Sequence, residues 1–197
     1  MPTTLENVRA IRQRIEKVDS AKVRQALMYQ YLTGCRVSEA VGKYAPVGKD
    51  LDLEEYQGHP LAKFRIKTAK HDGEERVVCL PMEPEYESWT KDLAAVFEKR
   101  GSRKAFPVGM STVQAIAPKI FDGLSYSVKK YTEVQKHDRT LCTHGLRHFR
   151  VSELFIRYGF DETDLNIFFG WKSKAAPMLD VYGENLWVRY LPKLLKA

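Results

Sequence analysis

Cysteine is scarce in this chain, and no long apolar run occurs. The three cysteines, Cys35, Cys79 and Cys142, stand at spacings that match no zinc pattern. Their odd number argues against a disulfide scaffold, so free thiols in a reducing compartment are expected. No stretch approaches the roughly 18 apolar residues of a transmembrane helix. The opening MPTTLENVRAIRQRIEKV has no apolar core of the secretory-signal kind. The expected location is therefore the cytoplasm, away from any membrane. No carboxylate–histidine cluster has metal-ligand spacing, so neither metal nor cofactor is expected. Repeats and low-complexity tracts are missing, and no linker is long or polar enough to divide the chain. A single domain spanning residues 1–197 is expected.

What is abundant is positive charge. Thirty-two Lys and Arg stand against 25 Asp and Glu, leaving +7 and a pI near 9.2. Such a surplus suits a polyanionic partner, because each cation placed at a phosphate releases condensed counterions. A solvated basic surface has the same composition. An acidic membrane surface fits less well, since no polybasic block lies beside an apolar helix.

The pattern of apolar residues predicts a mainly helical chain with a small antiparallel sheet. Val8, Ile11, Ile15 and Val18 recur at helical spacing. Ser20 is placed to cap a second helix that stops at Gly34, and a short helix runs from Val37 to Gly42. LAKFRIKTA and ERVVCLP, joined by KHDGE, read as a hairpin over 61–80, with an earlier strand near 50–56. Helices are predicted over 84–100, after a Ser111 cap with Pro118 interrupting or ending it, over 123–132, and over 144–158, with Leu154, Phe155 and Tyr158 on the buried side of the last. Asp161 is a cap for the next helix; a short one near 173–181 and a final one over 185–196 complete the chain.

Metal-free phosphodiester transfer needs a nucleophile, cations on the non-bridging oxygens and a proton donor for the leaving oxygen. TGCRVSEA sets Arg36 one helical turn before Glu39. RIKTAKHDGEERVVCLP sets Lys67 and Lys70 beside the hairpin turn. THGLRHFR places His144 and Arg147 on one helical face, FFGW ends at Trp171, and VYGE presents Tyr182 beside a glycine. Each motif alone has an ordinary explanation: a surface Arg36–Glu39 pair, a helix-start histidine, a charged face, a core tryptophan, one of ten tyrosines.

Taken in order, these motifs resemble the signature of the tyrosine recombinases (phage integrase family). That signature runs Arg in a TGxRxSE box, Lys in a β-hairpin, His-x-x-Arg, His or Trp, and a nucleophilic Tyr. Arg147 precedes Tyr182 by 35 residues, from 147 to 182, and the resemblance covers about residues 20–185.

The resemblance implies a catalytic domain of that family's fold, α+β and mainly helical. It also implies that Arg36 and Arg147 clamp the scissile phosphate, that His144 moves a proton, and that Trp171 donates its indole N–H or packs. Lys67 would protonate the departing 5′ oxygen, with Lys63, Lys70 and Arg76 as competing cations on the same hairpin. Tyr182 would form a 3′-phosphotyrosine, with Tyr190 as the alternative nucleophile. Glu39 would orient the site from behind Arg36. Lys70, Arg76, His148, Arg150 and Lys172 are expected DNA contacts.

The implied partner is double-stranded DNA, bound by a multimer in integration, excision or resolution on a bacterial, archaeal or viral element. The family's separate N-terminal DNA-binding domain is not visible here. The C-terminal tail, 185–197, either packs on its own domain or docks on a neighbouring protomer. Two other functions stay open: relaxation of DNA by a type IB topoisomerase-like enzyme, and DNA binding without cleavage.

Overall fold

The computed structural model describes residues 5–69, 73–82, 84–129, 136–171 and 186–196, with backbone alone at residues 5, 84–87, 126–129 and 136–140. Helix α1 (Leu5–Glu16) lays Val8, Ile11 and Ile15 into the core. Helix α2 (Ala21–Thr33) is buried along nearly its whole length from Val23 onward. Ser20 precedes α2, but its side chain makes no capping bond. The helix stops where Gly34 turns left-handed at φ 62°. A one-turn helix, α3 (Val37–Ala40), follows directly.

Three strands come next: β1 (Leu51–Tyr56), β2 (His59–Lys67) and β3 (Glu75–Pro81). They form an antiparallel sheet in the order β1-β2-β3, with Phe64 opposite both Leu51 and Val78 and Lys67 opposite Glu75. Along β2, Ala62, Phe64 and Ile66 are buried, the alternation of a sheet with one face on the core. That face meets α2 and α4 (Pro84–Glu98) in an aromatic cluster. Tyr29 lies 5.6 Å from Phe64 and from Phe97 and 5.1 Å from Phe106, ring centre to ring centre. Separations of this size are typical of favourable aromatic packing. They fix the hairpin against the second helix.

Helix α5 (Met110–Ile120) starts one residue before the expected Ser111 cap and carries Pro118 within its last turn. The segment expected to continue as helix over 123–132 instead forms β4 (Ser125–Lys129), paired antiparallel with β5 (Lys136–Thr140). Ser-Tyr-Ser-Val favours extended backbone once a partner strand is at hand. Helix α6 (Thr143–Tyr158) runs back through the molecule, with Leu146, Phe149, Leu154 and Tyr158 buried. Phe155, expected on that buried side, is 61% exposed together with its neighbour Ile156. It follows Leu154 by one residue, which turns it about 100° around the helix and off the buried stripe.

Helix α7 (Glu162–Phe169) is capped as expected: the Asp161 carboxylate accepts from Asp164 N–H at 2.9 Å, and Asp164 returns the bond at 3.0 Å. The expected helix near 173–181 lies outside the described residues. The chain resumes with a 3₁₀ turn at 186–189 and α8 (Leu191–Leu195). Trp187, Tyr190, Leu191 and Leu194 of this tail are buried within the same chain. Among the described residues, no helix is long and apolar enough to cross a membrane.

Candidate anion site at two helix ends

Helices α2 and α7 both end on left-handed glycines, Gly34 at φ 62° and Gly170 at φ 63°. The two ends meet. A β-carbon on Gly34 would lie 2.1 Å from Cε1 of Phe169, the last residue of α7, so only glycine fits there. Carbonyls at a helix C-terminus lack intrahelical donors and carry partial negative charge. Two arginines from elsewhere fill the seam. Arg147, on the first turns of α6, donates to Gly34 O at 2.6 Å and to Phe169 O at 3.2 Å. Arg76, on β3, donates to Thr33 O at 3.0 Å and to Phe168 O. Arg150, one turn along α6 from Arg147, donates to Leu32 O at 3.1 Å. Three successive carbonyls at the end of α2, those of Leu32, Thr33 and the capping Gly34, thus each accept from a different arginine.

Arg36 follows Gly34 by two residues and precedes α3. Its backbone N–H donates to Glu39 at 2.8 Å and its guanidinium donates to the same carboxylate at 2.9 Å. Glu39 is buried, and it also accepts from the N–H of Ala69 at 2.9 Å. One carboxylate therefore ties Arg36 to the hairpin loop two residues beyond Lys67. Burial works against ionisation of Glu39, but N–H donation from Arg36 and Ala69 and the charge of Arg76 outweigh it and lower its pKa. Arg147 is pulled the other way, down to about 10, first by burial and then by the like charges of Arg76 and Arg36. Burial likewise lowers the pKa of Arg76. Arg76 and Arg147 lie in the seam, and Arg36, paired with Glu39, is near enough for its charge to act on Arg147. Such a cluster gains free energy by admitting an anion.

The remaining candidates stand around this seam. Trp171 stacks on Phe169 with ring centres 4.9 Å apart, and both rings lie under the Arg147 guanidinium, at 5.5 and 4.7 Å. Trp171 is 40% exposed, so one face is open to solvent. His144 and His148 are exposed on successive turns of α6, their rings 5.1 Å apart. Lys67 is exposed at the end of β2. Lys70, Lys172 and the expected nucleophile Tyr182 lie outside the described residues.

Two of the expected DNA contacts are corrected. Arg150 is fully buried, its guanidinium held by Glu153 at 2.6 Å and by Leu32 O. Arg76 is 7% exposed and spends its donors on Thr33 and Phe168. Arg150 has no exposed surface, and Arg76 bonds one peptide deeper into each helix end than Arg147, which is itself only 8% exposed; both are held within the fold. Tyr190 is also unsuited to the alternative nucleophile's role. It is fully buried, its hydroxyl accepts from Cys79 N–H at 2.9 Å, and burial raises its pKa well above the tyrosine range. Cys35, next to Arg36, has its thiol pushed up to about 12 by burial and is inert at neutral pH.

Phe169 has a place in the site that sequence motifs do not give. It floors Arg147, backs Trp171 and fills the space above Gly34. The left-handed glycine after each helix is the available sequence sign that two C-terminal ends could serve as acceptors. Among the described residues, no group of three or more His, Cys, Asp or Glu side chains is gathered to hold a metal ion. Compared with protein-family models, with curated proteins and with solved structures, the chain matches none.

Proposed function

We propose that this chain cuts and rejoins double-stranded DNA as a tyrosine recombinase, working as a multimer on its target. One observation carries the reading: Arg36 and Arg147, 111 positions apart in sequence (147 − 36), lie near enough for the charge of one to act on the other, with Trp171 against Arg147 and Glu39 tying Arg36 to the loop after Lys67. In this reading the two guanidinia donate to the non-bridging oxygens of a phosphodiester. Arg147 is 8% exposed and bonds two carbonyls, so in this reading it meets the phosphate with N–H groups that those bonds leave over.

The Tyr182 oxygen bonds to phosphorus as the bond to the 5′ oxygen breaks. The tyrosine proton passes to His144, and Lys67 gives a proton to the leaving oxygen. The products are a 3′-phosphotyrosine and a 5′ hydroxyl. Attack by a 5′ hydroxyl of another strand reverses the step and frees the tyrosine. The arginines carry the charge stabilisation, so the reaction should proceed in EDTA.

The experiment is selection of bound DNA sites, then incubation with the preferred duplex and electrophoresis in SDS. The expected result is an SDS-stable protein–DNA adduct from the wild-type chain with EDTA present. Tyr182→Phe should retard the same DNA equally and yield no adduct. Retardation without any adduct from the wild type would replace this reading with a non-cleaving DNA binder. Relaxation of supercoiled DNA of any sequence, without strand exchange between sites, would indicate the topoisomerase-like activity.

A further inference from the structure

We propose that Arg76 is a positioning residue for the phosphate site, setting Arg147 and the Trp171 turn in place without touching DNA. This rests on the phosphate-binding reading of Arg36 and Arg147.

The two arginines form parallel rungs across the same pair of helix ends. Arg147 joins Gly34 O to Phe169 O, and Arg76 joins Thr33 O to Phe168 O, one peptide earlier in each helix. The outer rung, Arg147, lies against the Phe169 and Trp171 rings, and the inner rung, Arg76, bonds one peptide further into each helix. A single planar guanidinium bridging two carbonyls fixes their separation, because its N–H groups diverge at set angles. Loss of the inner rung would leave Thr33 O and Phe168 O without these donors and free the two ends to part. Arg147 would then lose the spacing that orients its own guanidinium, and Phe169 would shift beneath it.

A second contact leads to the same residue. The aliphatic stem of Arg76 runs beside the turn after α7, where a β-carbon on Gly170 would fall 2.8 Å from its Cδ. The next residue is Trp171, so Arg76 packs against the turn that aims the indole. Arg76 also belongs to the charge cluster: it acts on Glu39 and on Arg147 through space. Its burial keeps that charge unscreened. Glu39 in turn holds Arg36 and the hairpin loop. Through carbonyls, stem and charge, one buried side chain reaches every described arm of the site except His144.

The test uses the full chain with Arg76→Lys and Arg76→Met, each checked for cooperative melting. Binding of inorganic phosphate is measured by calorimetry, DNA affinity by retardation, and adduct formation in single turnover at saturating DNA. Arg76→Met should bind DNA within about 3-fold of wild type, since a buried residue removes no phosphate contact. It should bind inorganic phosphate at least about 10-fold more weakly and form adduct about 100-fold more slowly, the scale of a misplaced catalytic donor. Arg76→Lys keeps the charge and can still reach carbonyls, so it should recover roughly a tenth of the wild-type rate.

Because Arg76 acts in part through Arg147, adding Arg76→Met to Arg147→Lys should cost less than Arg76→Met costs in the wild type. Wild-type phosphate binding and adduct rate in Arg76→Met would overturn the proposal. So would DNA affinity falling in step with the rate, or losses that multiply in the double variant. If Arg76→Met does not fold, Arg76→Lys decides: wild-type behaviour in it overturns the role, and a rate-specific loss supports it. If the wild type forms no adduct, the recombinase reading fails, and the phosphate comparison still tests Arg76.

Discussion

A buried guanidinium must find acceptors for its N–H groups, and a buried phenol must find a partner for its oxygen. At Arg76, Arg147, Arg150 and Tyr190, main-chain groups supply such partners. Arg76, Arg147 and Arg150 take the last carbonyls of α2 and α7, while Tyr190 takes the Cys79 N–H in the middle of β3. Tyr190 is therefore a fastening between tail and sheet. Tyr190→Phe should leave the Cys79 N–H unpaired and destabilise the fold by about 1–3 kcal/mol, the cost of one orphaned buried donor. Urea unfolding measures this directly, and adduct formation by the variant should match wild type. An unchanged midpoint, or loss of the adduct with stability intact, would contradict the structural assignment. The comparison separates Tyr190 from Tyr182 by chemistry rather than by position.

At the scale of elements, the tail is core. Trp187, Tyr190, Leu191 and Leu194 are each at least 94% buried. Arg189 and Lys193 close the contact by pairing with Asp161 and Asp164 at the start of α7. Fully burying one large apolar side chain is worth about 1.5–3 kcal/mol. Four of them approach the whole stability of a small domain, about 5–15 kcal/mol. Removing residues 186–197 should therefore abolish cooperative melting and expose apolar surface to a dye such as ANS, before any question of assembly on DNA arises. Cooperative melting within a few degrees of wild type would mean the tail is peripheral.

The helices α2, α6 and α7 and the hairpin are legible in sequence because period, caps and turn residues agree there. β4 is not, since SYSVK becomes a strand only by pairing with a segment that itself carries weak local preference. In the site, Arg36, Glu39, His144, Arg147 and Trp171 are legible from motif order. The inward turn of Arg76 and Arg150 is not, because their acceptors are carbonyls from distant elements, and a main-chain carbonyl leaves no mark in sequence.

At the scale of the whole molecule, two buried carboxylates join elements far apart in sequence. Glu39 connects the α2–α3 junction to the hairpin. Glu153, on α6, accepts from Arg150 at 2.6 Å and from the Tyr31 hydroxyl at 3.0 Å, and lies 3.6 Å from Arg12 of α1. Burial alone would raise both pKa values, yet each is lowered: Glu39 by N–H donors and Arg76, Glu153 by Arg150 and Arg12. An unfolded glutamate titrates near about 4.3. With folded values below that, the ionised carboxylates stabilise the fold in full above about pH 5. That contribution is lost as pH falls through the unfolded and then the folded pKa. Unfolding free energy should accordingly be flat from neutral pH down to about 5 and decline steeply below it. Glu153→Gln should be less stable at neutral pH by about 3–5 kcal/mol, because Arg150 loses its buried counter-charge. It should also show a shallower acid decline, with one fewer proton taken up on unfolding at low pH. The two predictions are read from chemical denaturation at a series of pH values. A parallel offset of the two curves, with no change in slope below pH 5, would show that Glu153 does not hold this depressed pKa.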